Sequence, residues 1–71
     1  MSHPPQPEKP PEDVMEAYVG LDEEAARARA ATRGWAHVRA LPPGAIITME
    51  YLVGRINFTV EHGRVTRAWP G

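Results

Sequence analysis

The sequence predicts an α+β fold in which a single α-helix packs on a small mixed β-sheet and an extended loop joins two strands. Residues 25–33 are rich in alanine and arginine, which favour a helix. Residues 36–41 and 55–61 alternate between apolar and polar side chains, the pattern of strands with one buried face. A glycine turn at residues 61–64 precedes a third strand at residues 64–69.

Length and composition exclude several classes of protein. A chain of 71 residues is one small domain, and such a domain buries only about 60% of its unfolded surface. An internal active-site cavity would compete with the core for these few side chains, which argues against an enzyme. The formal net charge of -1 does not indicate the basic surface that proteins use to bind nucleic acid. We therefore expect a monomeric binding domain that uses no cofactor.

No compartment can be read from the sequence. No apolar run approaches the roughly 20 residues that a membrane-spanning helix needs, so no membrane partner is expected. The chain as given lacks the pattern of a secretory signal, which indicates a cytoplasmic protein or one from which a leader has been removed. There is no cysteine, so the fold is expected to be free of disulfides.

The N-terminal residues have a different composition from the rest. Residues 1–13 contain five prolines and no aliphatic side chain after Met1. We predict a disordered or polyproline-like tail at 1–13 and a domain at 14–71. A docking peptide for a proline-binding domain is the alternative. Glu12, Asp13 and Glu16 are expected to be solvated charges.

The helix has recognisable ends. Asp22 is the predicted N-cap, and Gly34 is the predicted stop. Spacings of three and four residues place Ala25, Ala28 and Thr32 on the buried face.

The strands are expected to bury alternate side chains. Val38 and Ala40 share one face of the first strand, and Ile56, Phe58 and Val60 share the inward face of the second. The connection between these two strands is long enough for them to pair in parallel.

Apolar side chains outside the strands complete the predicted core. Met15, Tyr18 and Val19 are expected to pack under the helix. Trp35 and Trp69 are expected to cover the core.

The connection between the first two strands carries an unusual apolar run. Residues 46–51 contain no turn residue, but Pro42, Pro43 and Gly44 precede them and Gly54 follows. A loop that exposes this much apolar surface predicts a partner surface.

Several short stretches of the sequence resemble the potato inhibitor I family of serine protease inhibitors, and they occur in the same order as in that family. The loop and the strand after it carry the resemblance, with support from residues 19–25 and from Pro70 and Gly71. The matching residues are Leu41, Pro42, Pro43 and Gly44, then Thr48, Met49, Glu50 and Tyr51, then Arg55, Ile56, Asn57 and Phe58. Gly34, Trp35 and Asn57 look closer to a related group of small bacterial and fungal inhibitors.

The resemblance implies that the chain inhibits a serine protease with a substrate-like loop. The implied reactive-site loop consists of Ile46, Ile47, Thr48, Met49, Glu50, Tyr51 and Leu52. The scissile bond would be Met49–Glu50, with Met49 as the specificity residue. A long, unbranched methionine suits the apolar pocket of chymotrypsin-like and subtilisin-like enzymes.

The resemblance also implies that charged residues on the strand below hold the loop. Arg55 stands at the first such position, where a charge-assisted pair with Glu50 is expected. Asn57 stands at the second, where many family members carry arginine. Leu52 also replaces a common arginine, and Gly54 adds backbone freedom, so the loop is expected to be looser than in strong inhibitors.

Other functions remain as alternatives. A protein-interaction module could keep this fold without inhibition and bind through the apolar loop or through the arginines of the helix. His3, His37 and His62 lack the spacing of a zinc motif, so no metal site is expected. Ser2 is the only serine, so no Ser-His-Asp triad and no catalytic residue is expected.

Overall fold

The computed structural model describes residues 9–47 and 50–71. A 3₁₀ helix at Met15–Tyr18 precedes one α-helix, α1 at Glu23–Thr32. The strands that follow are β1 at His37–Leu41, β2 at Arg55–Glu61 and β3 at Arg64–Pro70. The predicted α+β class is therefore confirmed. The tail predicted at 1–13 falls largely on residues 1–8, which lie outside the described residues.

The three strands form one mixed sheet in the order β1-β2-β3. β1 and β2 run parallel, with Val38 opposite Ile56, and this confirms the pairing predicted for them. β2 and β3 are antiparallel around the predicted glycine turn, and their register shifts between Thr59 and Val60. None of the described helices has the length and hydropathy of a membrane span.

The ends of α1 are as predicted, but its buried face is not. The Asp22 carboxylate accepts a hydrogen bond of 2.7 Å from the main-chain nitrogen of Ala25, as an N-cap does. The helix ends at Thr32, and a single residue, Arg33, separates it from Gly34. Ala26 and Ala30 are the buried alanines.

The prediction that Ala25, Ala28 and Thr32 face inward is wrong, because all three are exposed. Every apolar residue of α1 is alanine. The hydropathy pattern therefore contains no larger side chain that could fix which stripe of the helix faces the sheet.

The core lies between α1 and the sheet. Tyr18, Ile56, Phe58 and Val65 are its largest fully buried apolar side chains. The rings of Tyr18 and Phe58 are 5.3 Å apart and tilted, which is a favourable aromatic geometry. Met15, Val38 and Val60 pack against this cluster, as expected.

Two core predictions are wrong. Val19 is 48% exposed and lies just after the 3₁₀ helix, as its C-cap with extended backbone. Trp35 is buried as predicted, but Trp69 is only half-buried and pairs with Asn57 on the other face of the sheet.

Asp13 joins the segment before the 3₁₀ helix to this core. Its carboxylate accepts hydrogen bonds from the hydroxyl of Tyr18 and, at 2.9 Å, from the indole nitrogen of Trp35. The interpretation of Asp13 as a solvated charge is therefore wrong. Among the described residues, its carboxylate is the only acceptor for the polar hydrogens of two buried aromatic side chains.

The Asp13 contacts change two pKa values. Burial raises the pKa of Asp13, but the hydrogen bonds from Tyr18 and Trp35 outweigh that effect and hold the pKa below its ordinary value of 3.8. Burial, together with the bond to Asp13, raises the pKa of Tyr18 to about 12. The ionised form of Asp13 is therefore the form that the folded state prefers.

We predict that Asp13→Asn destabilises the protein at neutral pH by about 1–3 kcal/mol, because it weakens bonds to buried donors. The folded pKa of Asp13 is depressed, so its contribution is complete above 3.8 and is lost as the pH falls through the folded value. Thermal melting of both proteins near pH 7 and at about pH 2.5 should show the difference shrinking in acid. A difference that stays constant with pH would contradict this role.

Candidate functional site

The segment between β1 and β2 is the most exposed apolar part of the described chain. Ile46 is 95% exposed and Tyr51 is 60% exposed, and Ile47 and Leu52 are also exposed. The exposure predicted for this loop is confirmed at these positions. Residues 45–47 and 50–52 have no regular secondary structure. Thr48 and Met49 lie outside the described residues.

A tight turn connects this segment to β2. The main-chain nitrogen of Arg55 donates to the oxygen of Leu52 at 3.2 Å. Gly54 lies between them with φ of 86°, a value that suits glycine. Its oxygen accepts hydrogen bonds from the main-chain nitrogens of Ala36, at 2.8 Å, and His37, at 3.1 Å. Gly54 is therefore buried and tied to the start of β1, contrary to the expectation that it loosens the loop.

Arg55 holds the C-terminal side of the segment from below. Its Nη2 donates to the main-chain oxygen of Glu50 at 2.8 Å and to that of Gly71 at 2.6 Å. Its Nε also lies within 3.2 Å of the Gly71 oxygen. The predicted contact between Arg55 and Glu50 exists, but it runs to the main chain and not, among the described contacts, to the carboxylate.

Gly71 completes this support. Its oxygen also accepts a hydrogen bond from the main-chain nitrogen of Leu52 at 3.2 Å, and its nitrogen donates to the oxygen of Arg55 at 2.9 Å. The Tyr51 ring lies so close that a Cβ on Gly71 would be 2.5 Å from two ring carbons. Gly71 also has φ of 95°. Side chains are therefore excluded from this position twice, by the ring and by the backbone conformation.

Asn57 occupies the second predicted support position but has another role. Its side chain is 0% exposed. Its Nδ2 donates to the main-chain oxygen of Trp69 at 3.2 Å, and its Oδ1 accepts from Nε of Arg39 at 2.7 Å. Asn57 therefore contacts β1 and β3 rather than the described part of the loop.

A groove of about 340 Å³ lies between the loop and the end of β3. Its residues come from both sides of the predicted scissile bond and from the sheet. They are Arg39, Ile47, Glu50, Tyr51, Trp69, Pro70 and Gly71. The guanidinium of Arg67 stacks on the Trp69 ring at 4.7 Å, which fixes one wall of the groove.

Arg39 and Gly71 are the site residues that sequence reasoning missed. In the observed register Arg39 lies opposite Asn57, but the sequence predicts only that the two strands pair in parallel, and not which residues lie opposite each other. Gly71 acts mainly through its main-chain atoms, which leave no signature in side-chain chemistry. Within residues 9–47 and 50–71, no cluster of three metal-ligating side chains is present.

Comparison with known proteins identifies a family. The model of the peptidase inhibitor I78 family matches residues 14–71. The comparison with curated proteins gives no match. The resemblance to the potato inhibitor I family is therefore confirmed at the level of a peptidase inhibitor, but the matching family is a different one.

We predict that Gly71→Ala loosens the segment above it, because the new methyl group must displace the Tyr51 ring. Gly20→Ala is the matched control, since Gly20 has φ of 93° and open space around its Cβ position. Both variants should lose about 1 kcal/mol from backbone strain. Digestion by a nonspecific protease, followed by mass spectrometry, should show faster cutting within residues 46–52 only for Gly71→Ala. Equal digestion of the two variants would contradict the close contact with Tyr51.

Proposed function

The chain belongs to the peptidase inhibitor I78 family, and we propose that it inhibits chymotrypsin-like or subtilisin-like serine proteases through residues 46–52. Membership of this family makes a protease the expected partner. The observation that carries the finer proposal is the position of Arg55, whose side chain holds Glu50 and Gly71 together beneath an exposed apolar segment. This arrangement supports a segment that is presented to a partner and restrained from below.

In this proposal the segment binds as a substrate does. Ile46 and Ile47 are β-branched, and their stiff side chains favour the extended backbone that pairs with an enzyme's edge strand. Met49 fills the apolar specificity pocket, and Met49–Glu50 is the scissile bond. The exposure of Ile46 and Ile47 supports this role, since neither side chain is committed to the core.

Slow turnover follows from the support below the bond. A restrained segment loses less entropy on docking, which favours binding by about 0.5–1.5 kcal/mol per immobilised side chain. After the Met49–Glu50 bond is cut, the new amine belongs to Glu50. The bond from Arg55 to the Glu50 oxygen would keep that amine beside the acyl-enzyme. Religation then competes with hydrolysis at a high effective concentration.

Gly71 contributes to the same restraint from the other side of Arg55. Leu52 donates to the Gly71 oxygen, and Tyr51 packs against the Gly71 Cα. The residues after the scissile bond therefore have main-chain and side-chain contacts to the end of β3. These contacts do not depend on the peptide bond that the protease cuts, so they can persist in the acyl-enzyme.

We predict that the parent protein inhibits subtilisin and chymotrypsin better than trypsin, and that Met49→Lys reverses this preference. A lysine that reaches the buried carboxylate of the trypsin pocket gains about 3 kcal/mol, or roughly a hundredfold in affinity. Inhibition constants for the three enzymes provide the measurement.

Met49→Leu is the control, because it changes shape but keeps an apolar side chain of similar volume and should keep the parent's preference. Stronger inhibition of trypsin than of subtilisin by the parent would overturn the assignment of Met49. Absence of inhibition of all three enzymes by a folded parent would favour a non-inhibitory interaction module.

A further inference from the structure

We propose that Arg39 is a second positioning residue for the loop of residues 46–52, and that Asn57 holds Arg39 in place. This inference rests on the proposed function, because it concerns the same loop. Arg39 is on β1, opposite Asn57 in the parallel register, and its side chain lies on the sheet face away from α1. It supports the loop from a different strand than Arg55.

The orientation of Arg39 is fixed by a buried amide. Asn57 is on the central strand β2 and is fully buried. Because its Nδ2 donates to the Trp69 oxygen, its Oδ1 points towards β1, where Nε of Arg39 donates to it at 2.7 Å. Turning either side chain away would leave a buried polar group without its partner. The guanidinium of Arg39 is therefore directed by Asn57 on β2, which is itself held by the Trp69 oxygen on β3.

Arg39 lines the same groove as residues from both sides of the proposed scissile bond. Ile47 lines it from the side before the bond, and Glu50 and Tyr51 line it from the side after the bond. Among the described residues that line the groove, Arg39 is the only cation and Glu50 is the only anion. The guanidinium thus offers positive charge and N–H donors beneath the loop.

The contribution of Arg39 should be larger in the protease complex than in the free protein. Arg39 is half-buried and Glu50 is exposed, and charges that remain open to water attract each other by only about 0–1 kcal/mol. Docking of a protease excludes water from the loop, and electrostatic attraction strengthens as the local dielectric falls. Inhibition should therefore depend on Arg39 even at temperatures where every variant is fully folded.

Arg39→Gln tests the proposal, with Arg27→Gln as the matched control. Arg27 is exposed on α1 and pairs with Glu23, so its replacement removes the same charge far from the groove. Arg39→Lys keeps the charge but lacks the guanidinium fork that bonds Asn57. Three quantities are measured on each protein: the inhibition constant for subtilisin, the thermal midpoint, and the hydrogen-exchange rate of the Leu52 amide.

We expect Arg39→Gln to weaken inhibition by about tenfold, the ratio for loss of one charge-assisted hydrogen bond. Leu52 exchange in the free protein should be faster by roughly two- to fivefold, since the charge contributes less than about 1 kcal/mol there. Arg39→Lys should not restore either quantity. Arg39→Gln should lower the thermal midpoint more than Arg27→Gln does, because it leaves the buried Asn57 oxygen without its partner. Unchanged Leu52 exchange in Arg39→Gln would overturn the proposal.

Two further outcomes are decisive. A lower midpoint with an unchanged inhibition constant would assign Arg39 a purely structural role, and full rescue by lysine would overturn the role of Asn57. A parent that inhibits no protease would refute the proposed function, while Leu52 exchange would still decide whether Arg39 positions the loop.

Discussion

Hydrogen bonds to the main-chain oxygen of Gly71 are the interaction on which the arrangement of the loop depends. That oxygen accepts N–H groups from Leu52 and from the Arg55 side chain, and the nitrogen of the same residue donates to Arg55. Because Arg55 also holds Glu50, one glycine connects the end of the sheet to the residues that follow the proposed scissile bond. The Tyr51 ring fits against it only because the position has no side chain.

The two faces of the sheet are stabilised by different physical means. The face towards α1 is held by burial of Tyr18, Ile56 and Phe58, which supplies most of the folding free energy. The opposite face is held by hydrogen bonds among Arg39, Asn57 and Trp69. A chain without cysteine can therefore restrain its loop by polar contacts that lie apart from the apolar core. Changes to this polar network are expected to affect the loop as well as the stability of the fold.

The fold was largely predictable because its signals are local. Alternation along β2, the Asp22 cap and the glycine turn each act within a few residues. The buried stripe of α1 was not predictable, since alanines alone do not distinguish one face from another. The sequence does not reveal the role of Asp13, because its partner Trp35 is distant in sequence.

The loop was predictable from its run of apolar residues between turn residues, and the contact of Arg55 with Glu50 was predicted from the resemblance. The sequence could not show that Arg55 reaches the main-chain oxygen of Glu50, because this contact depends on three-dimensional placement. The same holds for the role of Gly71.

The most direct test of this account is the position of the first cut made by a protease that the protein inhibits. The parent is incubated with a catalytic amount of subtilisin, and intact and dissociated products are analysed by mass spectrometry and size-exclusion chromatography. We expect slow cutting at the single bond Met49–Glu50, with the two pieces remaining associated through β1 and β2. A first cut elsewhere, such as within α1, or immediate separation of the pieces, would contradict it.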